Sequence, residues 1–107
     1  MASLKTLANK TVTTSGTPEA ITAVGTRAEK VIIEALSTNT NVVYVGDANV
    51  SFSGKRGVSL LATKTYVIDP SSDDQRDEGI NMATIFVDPQ TNGEGVSISY
   101  IEVSKGV

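Results

Sequence analysis

The sequence predicts an all-β fold, a single-domain antiparallel β-sandwich that is jelly-roll-like and built from about seven or eight short strands. Three observations predict it. Thr, Ser, Val and Gly dominate a chain of 107 residues, a composition that suits sheets and turns better than helices. Turn signals recur between short apolar runs, as at Ser15-Gly16, Gly46-Asp47, Asp69-Pro70 and Asn92-Gly93. No segment has an unopposed helical period. A chain of this length supports one core, so one β-sandwich domain is expected over residues 10–107, preceded by an N-terminal arm over residues 1–9.

The arm mixes polar and apolar residues without a period. It reads either as a solvated tail or as an arm on a neighbouring subunit, which Leu4 and Leu7 would anchor. Lys10–Thr14 and Glu19–Val24 follow as the first two strands. Thr26–Leu36 is ambiguous: Ala28, Val31, Ile32 and Ala35 share one helical face, whereas the β-branched run Val31-Ile32-Ile33 favours a strand. The strand reading is preferred, with a short helix as the alternative.

Asn41–Asp47, Thr63–Pro70 and Ile85–Pro89 repeat one pattern, an aromatic or apolar run that stops at turn residues, and read as the strands that organise the core. Alternation places Val43 and Val45 on one face and Tyr44 on the other, and likewise separates Ile85 and Val87 from Phe86. With the aliphatic pairs inside, Tyr44 and Phe86 point outward. Asn49–Phe52 reads as a short edge, Ser53–Gly57 as a solvated turn and Val58–Leu61 as an apolar plug beneath it. Pro70–Gly79 is the most polar stretch. Met82–Asp88 and Gly95–Val103 read as a hairpin closed at Asn92-Gly93, with Val96, Ile98 and Tyr100 opposite Ser97 and Ser99. Ser104–Val107 reads as a short tail.

These residues exclude several chemistries. The chain has no His and no Cys, which removes the commonest general base, thiol nucleophiles and thiolate metal sites. No enzymatic activity and no cofactor are expected. The Gly54–Gly57 turn lacks the spacing of a phosphate-cradling loop. Asp73, Asp74, Asp77 and Glu78 lack the order of a calcium loop, so no metal ligands are assigned. A net charge of −3 with nine Lys and Arg argues against a nucleic-acid surface. No apolar run reaches the length of a membrane span, and the N-terminus lacks the apolar core of a secretory signal, so the mature protein is expected to be the whole chain.

The run Asn39-Thr-Asn-Val-Val-Tyr-Val-Gly-Asp-Ala-Asn-Val50, the strand ending Ile85-Phe-Val-Asp88 and the segment Asn92-Gly-Glu-Gly-Val-Ser97 resemble a family of small bacteriophage capsid decoration, or cement, proteins. The likeness spans about Val31 to Val103 and departs from the family at Ser53–Leu61 and in the acidic loop. It implies a structural virion protein that binds the outer surface of a phage head through the major capsid protein, stabilises the shell and associates with itself as a homotrimer. Its location would be the virion, after synthesis in the host cytoplasm. The interface residues expected are Tyr44, Phe86, Leu4 and Leu7. The alternative is a carbohydrate- or receptor-binding module on the phage exterior, for which the absence of Trp is a weak beginning.

Overall fold

The computed structural model describes residues 4–69 and 79–103. Nine strands lie in them: β1 (Leu4–Thr11), β2 (Glu19–Ala20), β3 (Arg27–Ala35), β4 (Val43–Gly46), β5 (Val58–Leu60), β6 (Thr65–Ile68), β7 (Ile80–Asn81), β8 (Phe86–Pro89) and β9 (Gly95–Glu102). A 3-10 turn, Met82–Thr84, leads into β8. One sheet has the order β1-β9-β3-β6 with β7 also on β3, and the other has the order β2-β8-β4-β5. All pairings are antiparallel. β1 pairs β9, β2 pairs β8, β3 pairs β6 and β4 pairs β5, a nested arrangement that is the connectivity of a jelly roll.

The two inner faces share one core. Val31, Ile33, Val96, Ile98 and Tyr100 come from the first sheet, and Val43, Val45, Leu60 and Val87 from the second. Simple alternation accounts for most of these positions. β3 is a strand throughout, and its helix-like spacing has a local cause. The register against β9 shifts between Ala28 and Lys30, so an extra residue at Glu29 restores Ala28 to the inner face, where it is fully buried. Ile32 faces outward and Ile33 inward, as a strand requires and a helix would not.

Four expectations are corrected. The arm is not strandless: residues 4–9 open β1, which pairs with β9 from Leu4↔Ile101 onward and carries a register shift between Leu7 and Lys10. Its apolar residues are sparse because it is a sheet edge with mostly exposed side chains. Val58–Leu60 is a strand on β4 and not a plug. β6 is an outer edge of the first sheet, exposed along most of its length, so the described part of that stretch, Thr63–Asp69, is peripheral to the core.

The fourth correction is the hairpin. β8 and β9 belong to different sheets, and the five residues between them, Gln90–Glu94, form a strap from one sheet to the other. The amides of this strap bond elsewhere: Gly93 N–H donates to Val12 O (2.8 Å) and Val12 N–H to Glu94 O (3.0 Å). Asn-Gly suits a tight hairpin, but two-residue loops dominate that class, and the longer connection lets the chain cross to the opposite sheet.

Where the strap meets β9, Gly95 lies opposite Thr11. A Cβ there would stand 1.9 Å from Lys10 O, whereas one on Gly93 (φ +83°) would meet nothing within 4 Å. Gly95→Ala is therefore predicted to cost about 3 kcal/mol or more, since rigid backbone must move, and Gly93→Ala only about 1–2 kcal/mol of left-handed strain. Urea denaturation of the two variants checks this; equal losses would show that the β1–β9 contact is loose.

Candidate functional site

The outer face of the second sheet gathers the two aromatic residues singled out in the sequence. Tyr44 on β4 stands between Ser59 on β5 and Asp88 on β8. Phe86 on β8 stands between Gly46 on β4 and Ala20 on β2. Their inward neighbours Val43, Val45 and Val87 are buried, so both aromatics face away from the core. Each is nevertheless half-buried.

Two loops fold over this face, and Asp88 holds both. Its side chain is completely inaccessible although it points outward like Phe86. Gly16 N–H donates to one carboxylate oxygen (2.8 Å) and Phe52 N–H to the other (2.9 Å). Gly16 belongs to the loop between β1 and β2, where Ser15 N–H also donates to Asn92 Oδ1 (2.7 Å) and Ser15 Oγ to Gln90 O (3.0 Å).

Phe52 belongs to the connection between β4 and β5. There Asn49 N–H donates to Asp47 Oδ1, Ser51 bridges to Arg56 and Arg56 Nε donates to Asn49 O. Gly57, at φ +115°, closes the loop because a Cβ would stand 2.7 Å from both Val45 O and Val50 Cγ2. The stretch Ser53–Gly57, expected as a solvated turn, is exposed but rests on this framework.

A second cluster ties the strap to the turn after β3. Asn39, nearly buried, donates from Nδ2 to Gly95 O (2.8 Å) and accepts from Gly95 N–H (3.3 Å), so its amide stands in for a strand partner. Glu94 accepts from Thr40 N–H (2.6 Å), Thr40 Oγ1 (2.8 Å) and Asn41 N–H (3.2 Å). Desolvation pushes the Glu94 carboxyl upward, but the bonds from Thr40 and Asn41 together outweigh it and hold the group below its ordinary value. Among the described residues every buried side-chain nitrogen and oxygen has a partner.

The four expected interface residues do not form one surface. Tyr44 and Phe86 share the outer face of the second sheet. Leu4 is 64% exposed and lies on the outer face of the first sheet, on the other side of the sandwich. Leu7 points inward and packs against the core, which takes it out of any free docking surface. Alternation alone marks an outward Asp as solvated, so the burial of Asp88 has one signal in the sequence, an acid placed directly after the apolar run Ile85–Val87 and before Pro89. No group of three acidic residues among those described could hold a cation. Asp73, Asp74, Asp77 and Glu78 lie outside the described residues. The chain matches no family model, no curated protein and no solved structure.

The Glu94 bonds set a pH dependence. Because the folded carboxyl titrates below its unfolded value of about 4.5, its stabilisation is complete above that pH and is lost as pH falls through the folded value. Glu94→Gln should lower the melting temperature near about pH 7, and the difference should shrink progressively as pH falls below about 4.5. A melting difference that does not shrink with acidification would contradict this role.

Proposed function

We propose that the protein is a structural virion subunit that attaches to the outer surface of a phage head and reinforces it, with the major capsid protein as its partner. The observation that carries the reading is the outer face of the second sheet, where Tyr44 and Phe86 stand on a framework braced by Asp88. A braced surface binds without paying to order its loops. The resemblance to decoration proteins supports the same reading from Asn39–Val50, Ile85–Asp88 and Asn92–Ser97, and the jelly-roll connectivity suits it without singling it out, since lectins share it.

Full burial of a large apolar side chain is worth about 1.5–3 kcal/mol, and residues already half-buried have roughly half of that left to gain. The aromatic pair then supplies about 2 kcal/mol per subunit, or roughly 10–30-fold in affinity. A lattice engages many such subunits at once, so a modest contact is enough for a coat.

Co-sedimentation with empty, expanded heads of the phage that encodes the chain tests the reading. The wild-type protein is expected to bind and to raise the temperature at which heads rupture. Tyr44→Ser with Phe86→Ser should bind roughly 10–30-fold more weakly. Because both side chains are already half-buried in the fold, the variant should also melt several degrees lower, and binding is compared at a temperature where both proteins are folded. Wild-type protein that ignores heads but binds a glycan on an array would replace this reading with that of a carbohydrate-binding module.

A further inference from the structure

The strap between β8 and β9 holds the chain's one Asn-Gly step. Among its asparagines only Asn92 is followed by glycine, the neighbour that hinders attack by the following amide nitrogen least. We propose that Asn92 is a site of spontaneous deamidation, which the folded strap holds closed and which opens when the strap loosens. Neither the fold nor capsid attachment requires this, and it stands apart from both.

The reaction needs only water. The Gly93 backbone nitrogen attacks Asn92 Cγ, the new N–Cγ bond closes a five-membered imide, and the Cγ–Nδ2 bond breaks. Ammonia departs, carrying the proton given up by the Gly93 amide. Water then opens either imide carbonyl to give aspartate or, with the backbone rerouted through the side chain, isoaspartate.

In the fold both reacting groups are held by other partners. Gly93 N–H donates to Val12 O at 2.8 Å, and Asn92 Oδ1 accepts from Ser15 N–H at 2.7 Å. Thr91–Glu94 is a closed turn, with Glu94 N–H on Thr91 O and Gly93 at φ +83°, the value that the third position of a type II turn takes. Asn92 and Gly93 are exposed to water, so bonding and conformation restrain the reaction, and solvent exclusion does not. Attack requires the nitrogen to leave Val12 and the carboxamide to leave Ser15, a local opening of the strap.

The two products differ in consequence. Aspartate keeps an oxygen for the Ser15 amide and leaves the backbone intact. Isoaspartate adds a methylene to the main chain between residues held in register with Val12 from both sides, since Val12 N–H also bonds Glu94 O. Aged molecules carrying isoaspartate should therefore lose the strap, and with it the loop that places Gly16 on Asp88.

The test is peptide mapping by mass spectrometry of protein incubated at mildly alkaline pH, native in one arm and unfolded in urea in the other. The unfolded chain is expected to convert at Asn92 at least about tenfold faster, the factor that a modest local opening equilibrium imposes. Equal rates in the two arms would overturn the proposal. A second measurement compares melting: Asn92→Asp should melt like the wild type, whereas native protein enriched in isoaspartate at position 92 should melt lower. An Asn92→Asp variant as destabilised as the aged protein would also overturn it.

Discussion

A carboxylate on the outward side of a strand ought to be in water, and Asp88 is not. Two loops remote from each other in sequence, one holding Gly16 and one holding Phe52, donate backbone amides to its two oxygens. Burying a charge costs several kcal/mol. Hydrogen bonds to a charged group return about 1.5–3 kcal/mol each, so two of them bring the site close to balance. No Lys or Arg among the described ion pairs reaches Asp88. The residue therefore adds little net stability, and its effect is to fix where the loops lie. Without it, the N–H groups of Gly16 and Phe52 would lose their acceptor and the loops would have no common anchor.

The strap from β8 to β9 links this anchor to the rest of the sandwich. Asp88 and Pro89 end β8, Gln90 and Asn92 hold Ser15, and Gly93 and Glu94 clasp Val12. Glu94 and Gly95 then engage the turn at Asn39–Asn41. Within a few residues the chain fixes the loop before β2, the end of β1 and the turn after β3 while it crosses between sheets. Lys10 adds a partly exposed ion pair to Glu19 at 2.7 Å, which joins the β1 edge to the β2 edge, though such pairs contribute little alone.

Fold class and strand parity were legible in the sequence because both follow from local rules. Val43 and Val45 inside, Tyr44 outside, and Val96, Ile98 and Tyr100 opposite Ser97 and Ser99 all come from the pleat. Pairing partners were not legible, because they depend on where the chain goes next. Asn92-Gly93 is compatible with a hairpin and with a crossing, and only the bonds to Val12 distinguish them. β6 has as many β-branched and aromatic residues as a core strand, yet lies at an edge where Val67 is 46% exposed. The start of β1, residues 4–9, is silent in the sequence for the opposite reason, since an exposed edge needs no apolar face. Of the candidate site, the aromatics could be found by alternation; Asp88 could not, because its burial comes from loops that no periodicity describes.

Amide hydrogen exchange at Gly16 and Phe52 tests most directly whether one buried carboxylate organises this face. If Asp88 clamps both loops, the two amides exchange as slowly as those of the core strands in the intact protein, and both accelerate together in Asp88→Ala while the amides of β3 and β9 keep most of their protection. Gly16 and Phe52 amides that exchange as fast as those of Ser53–Lys55 in the wild-type protein would show that the loops are not held by Asp88, and that the face it braces is not a preformed surface.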